Sequence, residues 1–365
     1  MEKIVTLEQY AKTRSKRDSF LRKYGVVILF ILPFLLAFIV FFLFPLFYGI
    51  HMSLTDFKYS APGTEIYNDL KWYRYIFDPA YFEGRTAPAL ISEAFWRSFL
   101  HSFVFAIIMV PIAIIVPLAL AILVNTKPPL YKFFRAVIYM PSIIPLTAAG
   151  TIFTLLFLPA SQHGLLAELF PGFGPEYWFN DVWFSFNIGT TTFTIVYAWI
   201  PIFLMCFWGG WGGNFIIFSA GLQNVPKTLY EAASIDGCSR WKKIKNVTIP
   251  GIKGQLVLCL FTTIIGYLGL YGQNYVLSGG GPTYAKLSAQ PGGGRTSTII
   301  YFIQDIVANN TNFKEKFYGL AAAASLVFTL AVGLITAIQM ISMREKKSGV
   351  KISEDFAKWH YNKQN

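Results

Sequence analysis

The chain has 365 residues, of which 54% are hydrophobic, 18% aromatic and only 14% charged. A soluble chain carries about a quarter charged residues; here the charges crowd between long apolar runs, so lipid rather than water is the solvent for most of the chain. The net charge of +12 does not point to nucleic acid, because the lysines and arginines sit at the ends of apolar runs, where they orient a chain in a membrane.

Apolar segments fall at 25–50, 100–124, 136–158, 188–218, 256–277 and 318–343. Each is long enough for a helix to cross a hydrocarbon core of about 30 Å. The first follows a charged lead, but it is too long for the core of a signal peptide and no small-residue cleavage site follows it, so it is read as a retained span. Pro111, Pro117, Pro141, Pro145 and Pro201 lie within these segments and predict kinks whose freed carbonyls neighbouring helices satisfy. The expected fold is an all-α integral membrane domain of six transmembrane helices over 25–343, flanked by tails at 1–24 and 344–365.

Basic residues alternate from one connection to the next. The N-terminal tail, the 125–135 and 219–254 connections and the C-terminal tail hold 22, and the three intervening connections hold nine, which together account for all 31. The positive-inside bias therefore predicts that both termini and the 219–254 connection are cytosolic. No expected span contains Asp, Glu, Lys or Arg. Ion-coupled pumps and voltage sensors usually keep such charges, so their absence points to a neutral solute moved by an outside source of energy. A G-x-x-x-x-G-K-[ST] phosphate loop is also absent.

Cys206, Cys238 and Cys259 have no paired spacing and read as packing residues rather than metal ligands or a disulfide. His51, His101, His163 and His360 are scattered without ligand spacing, which disfavours a metal site and an integral-membrane enzyme.

The stretch "PKTLYEAASIDGCSRWKKIKNVTIP", 226–250, is polar where its flanks are apolar. Pro226 suits a helix start, and Leu229, Ala232 and Ala233 share one face of the helix that follows. Gly237 is placed to end that helix in a left-handed turn, and Ser239 to cap a second helix carrying Trp241, Ile244 and Val247. Pro250 closes the second helix. An amphipathic segment anchored at the headgroups and a docking surface both fit this pattern. Glu231 beside Ala232 and Ala233 favours docking, because small side chains let a partner backbone approach a carboxylate.

These residues resemble the EAA loop of the permease subunits of bacterial ATP-binding-cassette importers. Glu231, Ala232, Ala233, Asp236, Gly237, Trp241 and Pro250 match the pattern, while Cys238 and Ile244 replace its usual alanine and phenylalanine. "FLLAFIVFFLFPLFYGIHMSLTDF", "FFRAVIYMPSIIP", "GLLAEL", "SAGLQNVP" and "YVLSGGGP" are similar to further segments of the carbohydrate-uptake branch, so the resemblance covers about 25–343. It implies the type I importer permease fold with a cytosolic coupling helix, in a bacterial cytoplasmic membrane. It also implies four kinds of partner: a second permease, an ATPase dimer, an extracytoplasmic solute-binding protein and a sugar. The chain itself would hold no cofactor, ATP and magnesium being bound by the ATPase. Glu231 would pair with a basic ATPase residue and Gly237 would make the turn. A facilitator or channel is the alternative transporter reading, and it needs no such loop.

Sugars offer hydroxyls to amides and CH faces to rings. Tyr267, Tyr271 and Asn274, at i, i+4 and i+7, are expected on one face of the fifth span beside Gln273 and Tyr275, with Trp199, Trp208, Trp211 and Asn214 as candidates in the fourth. The ordinary alternative is an interfacial aromatic belt with amides joining helices. The glycine-rich stretch 278–295 reads as a flexible external loop touching the binding protein or a gate. Segment 51–99, with Trp72, Tyr73, Tyr75 and Trp96, reads as a small external cap.

Overall fold

The computed structural model describes residues 24–25, 27–58, 63–77, 87–188, 191–284, 287, 292–309 and 317–342. The predicted tails lie outside these apart from Tyr24, as does the last residue of the sixth expected span. The described residues form two compact units, one drawn from 1–73 and 313–323, the other from 74–312 and 324–365.

The first unit contains α1 (Val27–Ser53), in which no side chain from Val27 to Ile50 is buried. A helix this apolar and this uncovered is stable only where acyl chains replace water. Its ladder widens into a π turn at Ile39–Leu43, just before Pro45, which has no N–H to give. Beyond α1 the unit closes around Trp72, whose indole donates to Thr55 O at 3.0 Å and packs on Phe317. Of the cap expected over 51–99, the residues from Ala87 onward are instead the start of a long helix.

The second unit is built on that helix, α2 (Ala87–Asn125), with Pro111 and Pro117 inside it. There follow α3 (Tyr131–Tyr139) and α4 (Leu146–Leu156), bent from each other by 94°. Pro145 forces the bend, holding Ile144 extended at φ −69° and ψ 127°. Next come strands β1 (Val182–Ile188) and β2 (Thr191–Val196), which pair antiparallel with Phe186 opposite Phe193.

The hairpin corrects two expectations. The domain is not all-α, and the fourth apolar segment begins not at 188 but with α5 (Trp199–Gln223). Hydropathy alone cannot separate the two elements. In 182–196, β-branched and aromatic residues dominate, and these fit a pleated sheet better than a helix.

The chain continues through α6 (Lys227–Ile235), α7 (Arg240–Gly251), α8 (Lys253–Leu268), α9 (Gly272–Ser278), α10 (Ile299–Ala308) and α11 (Tyr318–Ser342), the last contributing to both units. Among the described residues four helices are long and apolar enough to cross a membrane. The number rises to as many as six if the bent pairs α3–α4 and α7–α8 each count once.

The second unit's core lies in two clusters along α2 and α5. One joins Phe105, Met109, Ile202, Met205 and Leu270, and the other Ala121, Val124, Phe215, Phe218 and Ile252. Between them the Asn214 amide donates to Ala113 O at 2.8 Å and to Thr263 Oγ1 at 2.9 Å, tying α2, α5 and α8 together. Where helices meet in lipid, polar ties and small residues take over the role that water exclusion plays in soluble cores. Gly212 shows the second device, since a Cβ there would overlap Ser142 Oγ.

Of the glycine-rich stretch 278–295, residues 285–286 and 288–291 lie outside the described residues. Tyr284 N–H donates to Gly293 O at 3.0 Å and Thr296 N–H to Gly280 O at 2.9 Å, closing it on itself. Its Tyr284 ring lies against the Arg97 and Arg295 guanidinium groups. Arg97 is buried and pairs with buried Glu93 one turn earlier, at 2.8 Å. Replacing Arg97 by Met is expected to lower stability by about 3–5 kcal/mol, since it breaks a buried ion pair by removing one partner. Changing Glu93 to Gln in the same chain should recover most of that loss. Thermal unfolding of the detergent-solubilised protein checks both.

Candidate functional site

The bend between α3 and α4 and the break between α8 and α9 face α5 from two sides. Between them lie two adjoining hollows of about 210 and 400 Å³ that share Leu146, Gly210, Tyr267 and Gln273. Ser142, Gly209 and Cys206 line the first, and Gly213, Asn214, Thr262, Thr263 and Tyr271 the second. Among the described residues no charged side chain borders either. The cleft offers hydroxyls, amides and aromatic faces, which suits a neutral polar solute and gives no counter-charge to an ion.

The break redistributes the residues expected on one face. Helix α8 ends at Leu268, and Tyr271 takes φ −141° and ψ −59° before α9 begins. Tyr267 and Asn274 therefore do not share a helical face, as an unbroken span would have required. Tyr267 stays in the cleft, its hydroxyl 3.4 Å from Cys206 O. Gln273 lines both hollows, and Tyr271 lines one while stacking on Tyr275. Asn274 is fully buried and occupied elsewhere: Nδ2 donates to Thr296 O at 2.6 Å, and Oδ1 accepts from Ser278 and Thr296.

Trp199 is outside the cleft too, packed on Phe105 and lining a separate apolar recess with Leu100, Val104 and Phe203. Trp208 rests on Phe153 and Trp211 on Phe207. Ser142 and the glycines of α5 were missed as cleft residues. The repeat "WGGWGGN" was the available signal, because a glycine-lined helix face leaves room beside it.

The second functional element is the polar stretch between α5 and α8. Gly237, at φ +70°, ends α6; Gly237 N–H donates to Ser234 O and Cys238 N–H to Ala233 O. Ser239 Oγ then accepts from Lys242 N–H and caps α7. The two helices are tied by Lys243 Nζ to Ser234 Oγ at 2.6 Å and by the Tyr230 and Thr248 hydroxyls at 3.0 Å. Inward, Val225 and Ile252 anchor the stretch in the core. Outward, Glu231, Ala232 and Asp236 are exposed, with Ala233 half-buried beside them. Ile235 and Trp241 are 87% and 71% exposed, more than their apolar surface warrants in water.

Residues 113–344 match the family of binding-protein-dependent transport system inner membrane components. The chain belongs to this family. It is 32% identical over 333 residues to the arabinooligosaccharides transport system permease protein AraP of Bacillus subtilis (strain 168), covering 89% of this chain and 92% of that one. It is 28% identical over 261 residues to the lactose transport system permease protein LacF of Rhizobium radiobacter, covering 69% of this chain and 77% of that one. Its fold matches a chain in the crystal structure of a bacterial ABC transporter involved in the import of the acidic polysaccharide alginate. There the TM-score is 0.65 at 17% identity, over 92% of this chain and 99% of the other. The protein is thus a membrane permease with the fold of ABC importer permeases.

Because φ is positive at residue 237, Gly237→Val is expected to strain the turn by about 1–2 kcal/mol, and Gly237→Asn by less. Amide hydrogen exchange should show α6 opening more readily in the first variant than in the second.

Proposed function

We propose that this permease forms, with a second permease, the pathway of an ATP-driven importer for a neutral sugar or oligosaccharide. An extracytoplasmic solute-binding protein delivers the sugar and a pair of ATPase subunits supplies the energy. The chain crosses the bacterial cytoplasmic membrane six times with both termini in the cytosol. The observation that carries this reading is the α6–Gly237–α7 pair, a rigid helical projection with an exposed small-residue and apolar face, anchored between α5 and α8.

In this reading α6 seats in the ATPase and Glu231 pairs with a basic residue there, while Ala232 and Ala233 permit the close approach and Asp236 and Gly237 hold the turn. Closure of the ATPase dimer moves this projection and, through α8, the break beside Tyr267. Two packings of the helices must then differ in energy with nucleotide state. ATP and magnesium belong to the ATPase, and this chain is not catalytic. The sugar passes the cleft between α5 and the two bends, where Tyr267, Tyr271, Gln273 and Ser142 meet its hydroxyls and CH faces. The names of the oligosaccharide and lactose relatives support the solute class, and the absence of charge in the cleft supports its neutrality.

Exposed Trp241 beside Lys242 and Lys245 favours a second reading, headgroup anchoring. Purification in mild detergent separates the two. An ATPase that accompanies the natural protein and is lost from Glu231→Ala with Gly237→Pro supports docking, whereas no ATPase with either form leaves anchoring. Gly213→Leu probes the cleft, because a Cβ there meets nothing within 4 Å and the helix gains a better former. It should leave thermal stability intact and lower sugar uptake by about tenfold or more, equivalent to about 1.4 kcal/mol.

A further inference from the structure

A groove of about 510 Å³ separates α3 from the last turns of α5. On α3 it is lined by Lys132, Arg135, Ala136 and Tyr139, and on α5 by Ile216, Ala220 and Gln223. The four α3 residues recur at i, i+3, i+4 and i+7, so they share one face. Among the described residues no acid lines the groove, and neither Lys132 nor Arg135 takes part in an ion pair. Two cations one turn apart, over an apolar floor of Ile216 and Ala220, form a seat for an anion that carries apolar substance of its own.

The rest of α3 says which anion is at hand. Leu130, Phe133, Phe134, Val137 and Met140 are all exposed, from 44% to 72%. A short helix with an uncovered aromatic side and a basic side lies at the level where acyl chains give way to headgroups. Small residues at Ala136 and Ala220 keep the groove open between the two sides. Tyr139 and Gln223 add uncharged donors to the cations, so a phosphodiester would find both charge and hydrogen bonds.

We propose that this groove binds the headgroup of an anionic phospholipid. Lys132 and Arg135 hold its phosphate, Tyr139 and Gln223 hold its polar groups, and its first methylenes lie on Ile216 and Ala220. The proposal rests on the orientation given above, which puts α3 at the cytosolic boundary of the membrane.

The test uses the full complex in nanodiscs of phosphatidylcholine with increasing phosphatidylglycerol, with bound lipid counted by native mass spectrometry. The natural protein is expected to retain phosphatidylglycerol in preference to phosphatidylcholine. Lys132→Gln with Arg135→Gln should weaken that retention about thirtyfold, near fivefold for each cation removed. Lys127→Gln removes a charge outside the groove and should change retention little. Equal retention by the groove variant and the natural protein overturns the proposal. Displacement of the lipid by millimolar inorganic phosphate also overturns it, in favour of a free-anion site. So does retention by the isolated chain that disappears on assembly, which would mean that an acidic protein surface fills the groove. Whether an ATPase accompanies the chain is read from the same sample, so the importer reading and the lipid site fail separately.

Discussion

A backbone in lipid has no water to turn to, so every break in a helix must find its hydrogen bonds within the protein. That constraint organises the second unit. At the α8–α9 break, Leu270 O accepts from Thr298 Oγ1 at 2.6 Å. Thr298 can do this because the stretch before α10 folds back, held by Asn274 on Thr296 and by Ser98 and His101 of α2 on Ser297. The stretch before α10 therefore supplies the partner that the break needs, and the break lies beside the cleft.

The other end of the same span carries the opposite chemistry. Helices α6 and α7 leave Ile235 and Trp241 uncovered, while Tyr230, Val225 and Ile252 fasten them to the core. Helix α8 runs from the end of α7 to the break beside Tyr267, so a single helix joins this exposed face to the cleft. The glycines of α5 serve the arrangement from the side: Gly212 admits Ser142 and Gly210 admits the Tyr267 hydroxyl closely, while Gly209 and Gly213 leave space that the hollows occupy.

Much of this was legible from local chemistry. Pro226, Gly237 and Ser239 specify start, turn and cap through properties of single residues, and the helix–turn–helix stands where they place it. The candidate cleft was legible only in part. Tyr267, Tyr271 and Gln273 line it; Asn274 does not, because a periodicity argument assumes an unbroken helix, and Trp199 lines a separate apolar recess. The hairpin at 182–196 was hidden for a related reason, since an apolar tally carries no information about period.

By itself the sequence determined the solvent, the approximate segments that meet lipid and the turn chemistry at 226–250, each set by composition or by a few adjacent residues. Only the tertiary structure decided which polar groups are consumed and which face the cleft. Asn274 and Gln273 are neighbours of nearly the same chemistry, yet one closes a buried network with Thr296 and Ser278 and the other borders open space. The difference comes from Thr296, 22 residues away along the chain, brought near by a fold-back that no local pattern announces.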